Sequence, residues 1–406
     1  NSVLISSNKL LDVIFTLAFT HFFKKLPNFS SCTVTSIFSN LVQSLILNNH
    51  LTDVSNSLNV SIPIAGHLIS AYALGVVIGA PILVALSAKF PPKYILISLM
   101  ILFTIFNAFS IIAPDYNTLL MSRFFAGLPH GAFFGVGTVV AAKLAKKGKE
   151  AQAIASMFTG LTIAILAMVP FVTFLGHHLH WRYAFGVVSL LGLLTILFLY
   201  LWLPHLKPLR SVTLKEELEF FKTIKAWHIL TIVAIGFGGL FAWFSYIAPL
   251  LINISGFDIA DISYLMIVAG AGMVVGNIVG GYLADKKNPV IASIILLSLM
   301  VFSLILVFFF SDNKIISIIL TFICGALAMS IGSPINMVML RSAKHSEMLG
   351  AAFIQAAFNV ANALGAFFGG IPLLFGLAFN YPSLIGSGMA LLGMILCLAF
   401  YKKYER

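Results

Sequence analysis

The chain has 406 residues, of which 60% are apolar and 9% charged, with a mean hydropathy of +1.03 and a formal charge of +11. That balance excludes a water-soluble globular domain and places the chain in lipid. The basic residues sit in short connections between apolar runs, so they report membrane topology and not a nucleic-acid partner.

Apolar runs of roughly 20 residues, long enough to cross a hydrocarbon core, recur along the sequence and lack the alternation of a membrane barrel. In chain order they predict helices over 64–86, 94–113, 118–142, 153–176, 183–203, 227–252, 259–284, 289–310, 315–340, 348–374 and 381–401. No small-residue cleavage site follows the first apolar run, so no removed signal peptide is expected. Lys89 and Lys93, then Lys143, Lys146, Lys147 and Lys149, then Lys286 and Lys287, then Arg341 and Lys344, and finally Lys402 and Lys403 all fall at one end of the predicted spans. The positive-inside rule makes that end cytoplasmic, which predicts a multi-pass inner-membrane protein with a cytoplasmic C-terminus. Cys32, Cys324 and Cys397 form no CxxC pair, and no metal or cofactor is expected.

Residues 71–89 (AYALGVVIGAPILVALSAK) align without a gap on 268–286 (VAGAGMVVGNIVGGYLADK). Gly75 pairs with Gly272, Gly79 with Gly276 and Lys89 with Lys286, each 197 residues apart. The chain is therefore predicted to be two similar halves that rock about a central site. We divide it into an atypical segment (1–50), a first helix bundle (51–203), a connection with the pattern of a basic amphipathic surface helix (204–226) and a second bundle (227–406).

With these stretches the sequence resembles the major facilitator superfamily, in its twelve-helix drug and proton antiporter group and, within that, arabinose-efflux-permease-like proteins. SIPIAGHLISAYALGVVIGAP (61–81), RFFAGLPHGAFFGVG (123–137), FAWFSYIAPLLINISGF (241–257) and LGAAFIQAAFNVANALGAFFGG (349–370) carry the likeness. The resemblance implies an all-α fold of about 12 transmembrane helices in two six-helix pseudo-repeats. It also implies a latch between helix ends at Lys89, Lys93, Gly281, Asp285 and Lys286, with Ala88 standing where the family has an acid. Arg123 and Gly127 match the family's R-x-x-x-G, which makes Arg123 a proton-coupling candidate by resemblance, and Gly160 and Pro170 match its antiporter hinge. The first helix departs from the family: HFFKKLPNFSSCTVTSIFSNLVQSLILNNH (21–50) reads as an insertion or a frame error, with 29–47 supplying the helix if twelve form.

Polar groups at membrane depth are costly and tend to face a cavity or another helix. His130 lies seven residues after Arg123, hence on the same helix face, and a histidine changes charge near neutral pH. It reads either as a proton carrier or as a packing histidine. Asn277, Asn336, Gln355 and Asn359 suit a neutral polar substrate or interhelical bonding, and Trp243 and Tyr246 suit stacking on a ring or ordinary packing. Apart from Asp12 and Asp53, every acid falls in a connection or at a helix end. The expected function is a secondary transporter and not an enzyme: proton-coupled efflux of a sugar-like or drug-like small molecule. The alternatives are a passive or uptake carrier and a transport-inactive remnant.

Overall fold

The computed structural model describes residues 53–87, 89–163, 180–207, 218–258, 261–344 and 346–405. The predicted first helix, residues 10–23 and 29–47, Pro170 and the middle of the 204–226 connection lie outside these residues.

Among the described residues eleven longer helical segments follow one another. They are α1 (Ile62–Ser87), α2 (Pro92–Ile112), α3 (Tyr116–Leu144), α4 (Glu150–Ile163), α5 (Trp181–Trp202), α6 (Ile224–Asn253), α7 (Ile262–Lys286), α8 (Pro289–Phe310), α9 (Lys314–Ser342), α10 (Glu347–Leu374) and α11 (Tyr381–Tyr404). Ten are long and apolar enough to span a membrane, α4 being described only to Ile163. Several of the helices start where the sequence supplies a cap or an opening proline. Asp115 accepts hydrogen bonds from the Thr118 amide and hydroxyl, both at 2.9 Å. Asn313 accepts from the amides of Ile315 and Ile316 at 3.0 and 3.2 Å. Pro92 and Pro289 each open a helix, where a missing N–H costs nothing.

The repeat holds in three dimensions. In the first half α1 packs on α3, with Gly75 against the Phe124 carbonyl and Gly79 against Leu128. In the second half α7 packs on α9, with Gly272 against the Phe322 carbonyl and Gly276 against Ala326. Removing the side chain lets two backbones touch, which is how helices gain dispersion contact when lipid supplies no hydrophobic drive. The caps repeat as well: Asp115 and Asn313 lie 198 residues apart, and Pro92 and Pro289 lie 197 apart.

Two long segments are less regular than predicted. The span predicted over 227–252 runs as α-helix over Ile224–Thr231, π-helix over Ile232–Phe237 and α-helix over Gly238–Phe244, then resumes at Ile247–Asn253. Gly236, within the widened turn, meets Gly393, and Gly239, just after it, meets Gly386, both on α11, so the turn lies beside a close approach of two backbones. The span predicted over 315–340 is interrupted at Ile331, between Lys314–Ser330 and Gly332–Ser342. In the 204–226 connection the described part ends in a 3-10 turn, Phe220–Lys222, which buries Phe221 with its ring centroid 4.2 Å from that of Phe353 on α10.

The halves meet where α7 packs on α4 and where α10 packs on α1 and α3. Gly281 on α7 lies against Ala151, Gln152 and Ala155, and Gly135 on α3 lies against Ala352 of α10.

Candidate functional site

Within the first half, three polar side chains from two helices converge below the membrane-exposed surface. Tyr72 of α1 is 5% exposed, Arg123 of α3 is 1% exposed and His130 of α3 is 7% exposed. The seven-residue spacing brings Arg123 and His130 onto the α3 face that packs on α1. The Tyr72 hydroxyl lies 2.5 Å from His130 Nδ1. The two rings meet edge to face, with centroids 5.6 Å apart and planes at 85°. Arg123 Cζ sits 4.6 Å from the centre of the Tyr72 ring and 5.2 Å from that of Phe185 on α5, so two aromatic faces hold the guanidinium. Its Nε and Nη1 have no hydrogen-bond acceptor among the described residues. His130 stacks on Phe134 at 4.9 Å and 19°. Arg123 is thus not a side chain reaching out to water, as its place near a helix end would allow, but an enclosed cation. Sequence reasoning missed Tyr72, which lies 58 residues from His130 inside an apolar run.

A second site joins the halves at the lysine-rich end. Asp285, near the end of α7, accepts the backbone amides of Ala151 at 2.8 Å and Gln152 at 2.9 Å, at the start of α4. A carboxylate suits a helix start, where free N–H groups and the helix dipole favour negative charge. Two turns earlier on α7, Asn277 donates to the Ala155 carbonyl at 2.5 Å and to Thr159 Oγ1 at 3.1 Å. Gly281, between them, leaves room for α4 to approach. Lys89 and Lys286 are exposed, with Lys286 Nζ 5.6 Å from the Tyr282 ring centre. Lys93 lies apart from this group. It is 5% exposed and donates to the carbonyls of Tyr200 at 2.8 Å and Leu203 at 2.7 Å, capping the end of α5 within its own half.

The remaining candidates are spread through the second half. Asn336 donates to the Gly332 carbonyl and Asn359 to the Gln355 carbonyl, each one turn back on its own helix. Gln355 and Asn359 are half-buried and share one face of α10. Trp243 is fully buried, and the Tyr246 hydroxyl donates to the Ala366 carbonyl at 2.8 Å, pinning α6 to α10. Gly160 lies on α4. Among the described residues no cluster of metal-ligating side chains occurs.

Two glycine-crossed helix pairs related by an internal repeat, and two bundles meeting at helix ends, define the architecture, and a family model described as Major Facilitator Superfamily matches residues 29–370. The chain belongs to the Major Facilitator Superfamily. AraJ of Escherichia coli (strain K12) is 37% identical over 356 residues, covering 88% of this chain and 90% of AraJ. The inner membrane transport protein YdhP of the same strain is 35% identical over 348 residues, covering 86% of this chain and 88% of YdhP. A Helicobacter pylori protein (strain ATCC 700392 / 26695) named "Probable sugar efflux transporter" is 29% identical over 347 residues, covering 85% and 88%. Among solved structures of this superfamily, FucP in the outward conformation superposes with a TM-score of 0.75 at 14% identity, covering 93% of this chain and 99% of that one. The human organic anion transporter MFSD10 gives 0.68 at 16% identity, covering 91% and 99%. These two share the superfamily's fold. The chain is accordingly a multi-pass membrane transporter and not an enzyme.

Proposed function

We propose that this transporter exports a sugar-like or drug-like small molecule across the inner membrane, coupled to protons, by alternating access of its two halves. The observation that carries the reading is His130, a titratable ring inside a membrane span, held with Arg123 on one helix face. An ionisable group at membrane depth marks a functional pathway by default, and no carboxylate lies within a described span's interior to take the role instead. The efflux direction and the sugar-like class draw on the name of the Helicobacter pylori relative. We read the lysine-rich end, and with it the C-terminus, as cytoplasmic on charge grounds. Asp285, Gly281 and Asn277 then form a cytoplasmic latch that opens when the halves rock, with Lys89 and Lys286 at its margin. Gln355 and Asn359 are the neutral polar groups we assign to the substrate path.

The test is accumulation of labelled sugars and cationic dyes in transporter-deficient cells expressing the chain, with and without a proton uncoupler, beside a His130→Ala variant. Proton-coupled efflux gives lower accumulation that the uncoupler and the variant each abolish. Lower accumulation that survives both refutes coupling and makes the chain a passive carrier.

A further inference from the structure

We propose that Tyr72 is a positioning residue of the coupling site: its hydroxyl sets the tautomer and orientation of His130, while its ring face holds Arg123 beside them. The proposal rests on the reading of His130 as the proton-coupling group. In this arrangement the phenol is the donor across the 2.5 Å contact to Nδ1, which leaves the hydrogen of the neutral ring on Nε2. The Arg123 cation over the face of Tyr72 draws electron density from the phenol and strengthens it as a donor. When His130 takes up one proton, the proton sits on Nδ1 and Nδ1–H donates to the Tyr72 oxygen. The hydroxyl hydrogen turns away, and no O–H bond breaks. The same contact therefore serves both charge states of the ring without moving a helix. Among the described residues, the ionisable groups that act on His130 are Tyr72 of α1, through its hydroxyl and ring, and Arg123 of α3, whose charge lies on the same helix face.

The repeat supplies an independent argument. The second-half counterparts of Tyr72, Arg123 and His130 are Ala269, Thr321 and Ala328, which are 1%, 3% and 0% exposed. They sit on the same glycine-mediated crossing: Gly127 meets the Tyr72 carbonyl, and Gly325 meets the Ala269 carbonyl. Two alanines and a threonine satisfy that crossing in one half, so packing does not require the tyrosine, arginine and histidine in the other. Their cost in lipid is offset by a role that the second half lacks.

The experiment is nitrogen-15 NMR of histidine-labelled full chain in detergent, with His130 assigned by the signal lost in His130→Gln, beside flux assays over a pH series. In the unaltered chain His130 is expected as a single neutral tautomer with hydrogen on Nε2. A neutral ring with hydrogen on Nδ1 overturns the proposal without any variant being made. Tyr72→Phe keeps the ring over Arg123 and removes only the hydroxyl, so the His130 signals are expected to shift toward a tautomer mixture. The pH profile of flux is expected to move by about one unit. Unchanged signals and profile in Tyr72→Phe overturn the proposal. Signals that change as expected while neither variant alters the uncoupler sensitivity of flux keep the tautomer assignment and refute the coupling reading beneath it.

Discussion

The contact of α7 with α4 is tied by directional bonds from Asp285 and Asn277, whereas on the other side of the halves' interface, where α10 packs on α1 and α3, small residues approach, Gly135 of α3 against Ala352 of α10. The repeat relates the α7–α4 contact to that of α1 with α10. The first-half equivalents of Asn277 and Asp285 are Ala80 and Ala88. The helix starts they would address also correspond, since Glu150 and Glu347 lie 197 residues apart. Duplication thus preserved the packing that both halves need and left the polar groups on one side only. What repeats is scaffold, and what differs between the copies is where switching and chemistry are to be sought.

The scaffold half of that statement predicts the largest effect. A leucine at Gly276 would drive its side chain into the Ala326 backbone, and backbone cannot turn aside as a side chain can. We expect Gly276→Leu, and equally Gly79→Leu, to cost at least about 3 kcal/mol and to abolish the folded monomer peak in size-exclusion chromatography. A defect in one half alone would break the equivalence. Next in size is Lys93, whose counterpart is the buried Val290. Lys93→Val removes two charge-assisted bonds to carbonyls at the end of α5 and should cost about 1.5–3 kcal/mol in denaturation, with flux per folded molecule unchanged. A change in flux would return Lys93 to the gate.

Asp285→Asn sharpens the contrast between interfaces. The amide keeps one acceptor oxygen and loses the charge at the start of α4, weakening the closed arrangement by about 1–2 kcal/mol. Labelling of a cysteine placed at Ala352, in a chain whose native cysteines are replaced, should then rise about tenfold from the lysine-rich side. Equal labelling would mean that the small-residue interface alone holds the halves. The smallest effect belongs to the paired caps. Hydrogen bonds from the Thr118 amide and hydroxyl hold the Asp115 carboxyl below the usual carboxylate range. The cap's contribution is therefore complete above the unfolded value of about 3.9 and fades as pH falls through the lower folded value. Asn313 does not titrate, so Asp115→Asn should remove a slight loss of melting temperature that the unaltered chain shows as pH falls below about 4.

Much of the scaffold was legible because its causes are local. The predicted span over 289–310 coincides with α8, and the 64–86 and 348–374 spans differ from α1 and α10 by two residues or fewer at either end, since apolar length and capping residues act within a turn or two. The gapless repeat exposed the two halves before any contact was known. The sites were legible only in part. His130 declared itself as an ionisable group in apolar surroundings and Arg123 through the family's R-x-x-x-G, but Tyr72 is amphipathic and looks like any aromatic in a span. Its partner lies on another helix at a spacing no local pattern encodes. Lys93 was a gate candidate by family resemblance alone, and its partners are carbonyls 107 and 110 residues away that no local pattern announces. The widened turn in α6, where Gly236 meets Gly393 of α11, left no periodic trace either.

That same Lys93 bond has a mechanical reading. The Leu203 carbonyl is among the last of the first bundle before the chain sets out toward the second, and Lys93 fastens it to α2. Under the rocking proposed above, a pull on the end of α5 would therefore be borne by α2 and α5 together.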